Sequence, residues 1–251
     1  MATVNTSRST ILITGAGSGI GKATAQTLLS QGWNVVLAGR TEDTLRQAAQ
    51  DHEHALVLTA DVTSAAQVHE LFTKATAHFG RLDTLFNNAG TFGPAVSIDE
   101  LHEDDWDRVC RVNLTGAINC AREAFIYMKA HDGGRVINNG SISAQVPRPR
   151  SVAYAVTKHA ITGLTKSIEL DGRPFNICAS QIDIGNTASD IMNELGTAQG
   201  ALQADGSLKV EPTFALQQAA DAVAFLANSP LTVSVNQLTI TAAGMPFIGR
   251  G

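Results

Sequence analysis

No block of lysine and arginine occurs in this sequence of 251 residues, and charge of either sign is sparse: 16% of residues are charged, 18 basic against 23 acidic. A formal net charge of −5 leaves nothing to supply the phosphate contacts that dominate nucleic-acid affinity, so no nucleic-acid partner is expected. No run of about 18 uninterrupted apolar residues is present, which excludes a membrane-spanning helix and argues against a membrane partner. The polar opening MATVNTSRST leads into no apolar run of signal-peptide length, so a cytoplasmic location is expected. Cysteine is equally scarce. Cys110, Cys120 and Cys178 are widely spaced, with no Cys-x-x-Cys pair and no histidine at ligand spacing, and read as small buried thiols. His52 and His54 form the only close histidine pair and lack carboxylate or thiolate partners, so no metal is expected.

What remains is 44% hydrophobic, ordinary for a globular protein, and its apolar segments alternate in kind. Thr10 to Thr14 reads as a strand, Gly15 to Gly21 as a glycine-rich turn and Lys22 to Gln31 as a helix. Trp33–Ala38 and Ala55–Ala60 read as strands around a helix from Thr41 to His52. Ala65–Phe79 is helical, Thr84–Phe86 a strand opening into Asn87-Asn88-Ala89-Gly90, and Asp104–His131 one long helix. Strands at Gly134–Asn138, Phe175–Ala179 and Val233–Thr241 frame helices at Tyr154–Asp171 and Pro212–Asn228. Strand–helix alternation of this kind predicts an α/β fold: a Rossmann-like, doubly wound parallel sheet flanked by helices on both faces. Without a repeat, a low-complexity tract or a dividing linker, residues 1–251 read as a single nucleotide-binding domain. The long connection 185–211, with Met192, Leu195 and Leu202 among polar residues, reads as a partly helical substrate-binding loop.

The segment TGAGSGIG places Gly15, Gly17, Gly19 and Gly21 between a strand and a helix, where backbone N–H groups and the helix N-terminus can meet a pyrophosphate. At the end of the second strand, Gly39-Arg40 stands where an NAD site would offer a carboxylate to the ribose. Arg40 therefore either receives a 2′-phosphate or caps the strand end. Asp61 either accepts from the adenine amino group or caps the following helix. Tyr154 and Lys158, four apart in YAVTK, share one helical face, and a nearby ammonium draws a phenol with an ordinary pKa near 10 towards neutrality, fitting it for general acid or base work. Ser141, in NNGSISA, follows a strand's carboxyl end and lies thirteen residues before Tyr154; its hydroxyl can donate to a substrate carbonyl, and Ser143 competes for that role. Asn113, an amide within an otherwise apolar helix, must be paired, by kinking the helix or anchoring a water.

In order and spacing, TGAGSGIG, Asp61-Val62, NNAG, Asn113, Ser141 and YAVTK resemble the short-chain dehydrogenase/reductase family, from Thr10 to the C-terminus. The resemblance implies a catalytic set of Ser141, Tyr154 and Lys158 completed by Asn113. It implies cofactor contacts from Gly15, Ser18, Gly19, Ile20, Gly21, Arg40, Asp61, Val62, Asn88, Ala89, Gly90, Tyr154 and Lys158. Arg40 sits at the position that selects NADP(H) in that family, whereas Ser18 stands where its NADP users often carry a basic residue, so NAD(H) stays open. The family's usual Pro-Gly pair after the sixth strand is absent; the chain reads NICASQIDIGNTAS, and Ile182, Ile184 or Thr187 would meet the nicotinamide carboxamide.

The implied activity is NADP(H)-dependent, reversible reduction of a ketone or aldehyde to an alcohol, a small-molecule substrate, with Tyr154 as general acid/base. The alternatives are an NAD-preferring alcohol dehydrogenase, a 3-oxoacyl thioester reductase, and a non-catalytic NADP sensor. Apolar positions along Val109–Met128 and Ala155–Ile168, with the family's habit, lead to the expectation of a homodimer or homotetramer.

Overall fold

A computed structural model describes residues 8–187 and 200–248. Its centre is a parallel sheet of seven strands in the order β3-β2-β1-β4-β5-β6-β9. The strands are β1 (Thr10–Thr14), β2 (Asn34–Gly39), β3 (Ala55–Thr59), β4 (Thr84–Asn87), β5 (Gly134–Asn139), β6 (Ile177–Ile184) and β9 (Gln237–Ile240). A separate antiparallel pair, β7 (Ala201–Leu202) and β8 (Leu208–Lys209), occupies the described part of the 185–211 connection. The expectations for Met192 and Leu195 lie outside the described residues.

Alternation along the strands divides the core. Ile11 and Ile13 of β1 and Val35 and Leu37 of β2 pack on α1 (Gly19–Ser30), α2 (Glu42–Ala49) and α7 (Leu216–Asn228). Leu12, Val36, Leu85 and Val136 face the other way, onto α3 (Ala65–Phe79), α5 (Gly116–Ala130) and α6 (Val152–Gly172). Both faces are thus covered, the condition under which parallel strands become continuous apolar runs. Each fully buried large side chain, such as Phe86 or Leu37, contributes roughly 1.5–3 kcal/mol relative to exposure. Among the described residues no helix is long and apolar enough to cross a membrane.

Three elements differ from the sequence reading in ways that matter. The expected single helix from Asp104 to His131 is α4 (Glu103–Cys110) running into α5 through a π-helical turn, Arg111–Thr115, that contains Asn113. The chain stays helical, but one turn is widened. Strand β6 does not stop at Ala179 but continues to Ile184, because Ser180, Gln181 and Asp183, which interrupt the apolar pattern, are buried and paired rather than exposed. The last strand is shorter than Val233–Thr241: the segment before it is held by Arg135 of β5, only 1% exposed, whose guanidinium donates to the carbonyls of Ser229, Pro230 and Val233 at 3.3, 3.2 and 2.9 Å.

Candidate active site

The order of the strands reverses between β1 and β4, whose carboxyl ends lie side by side in register, Ile13 beside Phe86. Thr14 Oγ1 accepts from the backbone N–H groups of Asn88 and Ala89 at 2.9 and 3.0 Å. Asn88 in turn donates to the Thr14 carbonyl at 2.9 Å, and its Oδ1 accepts from Asn139 Nδ2 at 2.8 Å. One asparagine thus ties together the ends of β1, β4 and β5. Above them opens a cavity of about 540 Å³, at the crevice where ligands bind in doubly wound sheets.

Most of the expected residues converge on this cavity. Gly15, Ser18, Gly19 and Ile20 line it from the first turn, Arg40 from the end of β2, Asp61 and Val62 beyond β3, and Asn88, Ala89 and Gly90 beyond β4. Ser141, Tyr154, Lys158 and Ile184 complete the opposite side, with Thr187 beside them. Gly21, Asn113 and Ile182 are not on the cavity wall. Gly21 packs behind it, where a Cβ would lie 2.3 Å from the Gly15 carbonyl oxygen. Ile182 is fully buried in the core cluster that holds Ile13 and Val223, since strand alternation sends it into the sheet's packed face. Asn113 is buried behind the wall, with Oδ1 accepting from Thr91 N at 2.8 Å and Nδ2 donating to Thr91 O and Thr157 Oγ1 at 2.8 and 3.2 Å. Its amide thereby pins the loop after β4 to α6.

The first turn fits a dinucleotide phosphate. Ser18, the N-cap of α1, makes no side-chain cap bond, and the first turn carries no acidic residue, so the leading N–H groups and the positive end of the helix dipole are left for an anion. Gly19 has φ +50, and a Cβ there would meet nothing within 4 Å; the backbone faces open space. At the adenosine side, Arg40 is exposed on the wall, and among the described residues no carboxylate pairs with it. Asp61 does not cap α3: the N-cap is Ser64, which accepts from Gln67 N, while Asp61 Oδ1 accepts from Thr63 N at 2.9 Å.

The opposite side holds the polar cluster. Ser141 begins a single 3-10 turn, Ile142–Ala144, and its Oγ accepts from Ser143 N at 3.1 Å. Between the two serines, Ser141 is the one hydrogen-bonded to the Tyr154 hydroxyl. Burial pushes the Tyr154 phenol above its ordinary value; the Ser141 hydrogen bond works against that shift and the Asp183 charge adds to it. The net direction is upward, opposite to the drift towards neutrality expected from Lys158. Burial brings Lys158 down to about 8, against the pull of Asp183. Lys158 Nζ lies 5.5 Å from the Tyr154 ring centroid, and Phe92 packs against that ring, with centroids 4.9 Å apart.

Several residues here were not singled out from sequence. Arg148, on the wall, is bonded to Asn186 Oδ1 at 2.6 Å and paired with Glu211, joining the loop after β5 to the segment after β8. Asp183 is fully buried beside Ser141. A carboxylate just short of a strand's carboxyl end was the available signal, concealed by ending β6 at Ala179 rather than Ile184. Among the described residues no group of histidines, cysteines and carboxylates is arranged to hold a metal.

Residues 9–200 match the family described as short chain dehydrogenase. A short chain dehydrogenase/reductase of Aspergillus oryzae, astE, is 35% identical over 207 residues, 78% of this chain and 79% of that protein. An uncharacterized oxidoreductase of Staphylococcus epidermidis is 31% identical over 230 residues, 91% of this chain and 95% of its own. Among solved structures, levodione reductase superposes with a TM-score of 0.83 at 26% identity, covering 93% of this chain and 96% of that one. The 3-ketoacyl-(acyl-carrier-protein) reductase of Brucella melitensis, complexed with NADH, gives a TM-score of 0.81 at 24% identity over 94% and 97% of the two chains.

Proposed function

The chain belongs to the short-chain dehydrogenase family, an NAD(P)-dependent group of oxidoreductases, and on that premise we propose that it reduces a ketone or aldehyde to an alcohol with NADPH. The reading is carried by one observation: Ser141, Tyr154 and Lys158 share a wall of the cavity whose far end holds the glycine turn and Arg40. When bound, the cofactor supplies the hydride to the carbonyl carbon. Ser141 Oγ donates to the carbonyl oxygen and holds it against Tyr154, and Tyr154 Oη gives that oxygen its proton. A phenol whose pKa is raised by burial stays protonated at neutral pH, which suits an acid. Lys158, cationic at neutral pH, favours the phenolate left behind and holds the nicotinamide ribose. Asn113 is a positioning residue, acting through Thr91 and Thr157.

Preference for NADPH is drawn from Arg40, a planar guanidinium suited to the 2′-phosphate, on a wall where Thr41 and Thr44 add hydroxyls. Gly15, Ser18, Gly19 and Ile20 hold the pyrophosphate, Asp61 and Val62 the adenine, Asn88 to Gly90 the adjoining ribose, and Ile184 and Thr187 the carboxamide. The chain is read as one domain in which residues 185–211 form the substrate loop. Exposed Ile118 and Ile126 on α5 and Val156 and Leu170 on α6 support pairing of two copies through these helices; sedimentation of a monomer at micromolar concentration would refute that. The function is tested by following NADPH and NADH oxidation against a panel of ketones and aldehydes. Turnover with NADPH supports it, and cofactor binding without turnover of any carbonyl overturns it.

A further inference from the structure

We propose that Asp183 is a positioning residue of this site, whose buried carboxylate fixes the backbone of Ser141 and sets a negative charge against Tyr154 and Lys158. The inference rests on the reading of those residues given above and adds one residue to it.

Asp183 lies on β6, beside Thr239 of β9, and is fully buried. A carboxylate there is costly unless every lone pair is met, and four donors meet it. Oδ1 accepts from Ser141 N at 3.0 Å and Gln181 Nε2 at 2.7 Å; Oδ2 accepts from Gln145 Nε2 at 2.9 Å and Gln237 Nε2 at 2.6 Å. The Ser141 contact involves a backbone N–H, which can only donate, and it fixes the start of the turn from which Ser141 Oγ reaches Tyr154. The fit is close: a Cβ on Gly140 would lie 2.2 Å from Asp183 Oδ1.

Among the described residues no cationic side chain is bonded to the carboxylate. The groups contributed by the turn after β5, by β6 and by β9 are uncharged, namely Ser141, Gln145, Gln181 and Gln237. Arg148, in the same loop as Gln145, is engaged by Glu211 and Asn186. From α6, the titratable groups that feel Asp183 are Tyr154 and Lys158. In a poorly solvated cluster this charge opposes the loss of the Lys158 proton that burial promotes. Four glutamine and backbone donors thus hold an anion where it keeps the active-site cation charged.

The test is the pH dependence of NADPH-driven ketone reduction in Asp183→Asn, Asp183→Glu and Gln145→Lys, each beside the unaltered protein. Asparagine keeps an acceptor for Ser141 N, and the amides of Gln145 and Gln237 can turn to present oxygen to its new N–H groups. Its alkaline limb is expected at lower pH by about one unit, with KM for the ketone little altered. Asp183→Glu keeps the charge while displacing the acceptor, so kcat falls and the limb stays in place. Gln145 is exposed, so Gln145→Lys keeps the proposal testable even where core variants fold poorly; its ammonium offsets the carboxylate and moves the limb the same way by a smaller amount. Alkaline limbs that coincide in the unaltered protein, Asp183→Asn and Gln145→Lys overturn the assignment. Failure of the unaltered protein to reduce any ketone overturns the functional reading instead. The Asp183 assignment is then read from the alkaline fall of NADPH affinity, which either moves in these variants or refutes it.

Discussion

Lys158 Nζ donates a 2.6 Å hydrogen bond to the backbone carbonyl of Asn139, the last residue of β5 and two residues before Ser141. The ammonium of α6 is therefore anchored on the strand that presents the serine. One of its three donors is engaged, and the others are available to the cavity that Lys158 lines. A site built on strand and helix termini holds its geometry more tightly than one carried on loops.

The first expectation concerns that ammonium. With Lys158 at about 8, its charge is present below that pH and is lost as pH rises through it. Reduction with NADPH should be level near pH 6.5 to 7 and decline through about pH 8. An activity profile flat to pH 10 would contradict this role.

Tyr154→Phe keeps the ring that packs on Phe92 and removes only the proton donor. It should fold normally, bind NADPH, and lose at least about a hundredfold in kcat, the usual size of general acid catalysis. Near-normal turnover in a well-folded variant would dismiss Tyr154 as the acid.

Arg40 should decide the cofactor. A charge-assisted contact to the 2′-phosphate contributes roughly 1.5–3 kcal/mol, or about ten to a hundred and fifty fold in affinity. Gly39→Asp combined with Arg40→Ser should reverse the preference, because a carboxylate accepts from a 2′-hydroxyl and repels a 2′-phosphate. Fluorescence titration at low salt gives the comparison, and equal affinities for NADPH and NADH in the unaltered protein would reduce Arg40 to a surface arginine.

Arg135 should matter to stability alone. Arg135→Met leaves the carbonyls of Ser229, Pro230 and Val233 without their shared donor and should cost about 2–4 kcal/mol in urea unfolding. A loss below about 0.5 kcal/mol would mean that water replaces the guanidinium there.

Strand–helix alternation made the parallel sheet legible in the sequence, because β1, β2 and β4 are buried on both faces and centre on the apolar runs Ile11–Ile13, Val35–Ala38 and Leu85–Phe86. The glycine turn and the YAVTK spacing were legible because each needs only local geometry. Asp183 was not, since a polar residue in a strand reads as the strand's end unless its partners are known, and three of its four come from residues at least 38 positions away. Ile182 was misplaced for the same reason: its neighbour's orientation fixes its own, and that orientation is decided by pairing with β5 and β9. The π-helical turn left no periodic signature, as its one extra residue is visible only against the helices on either side.

That widened turn also acts as a phase shifter. Each helical residue advances the face by about 100°, so the added residue near Asn113 sets where every side chain of α5 points. Cys120, Ala124 and Met128 reach the core only because of that offset, while Ile118 and Ile126 are turned outward. Deleting a single residue between 111 and 115 other than Asn113 would restore regular winding with α5 still in phase, whereas deleting one within α5 would rotate everything beyond it by about 100° and carry the core-facing side chains off the core. A length change of one residue is consequently better tolerated here than elsewhere in the helix, and a deletion scan along 103–130 should show its mildest loss of soluble protein at the widened turn.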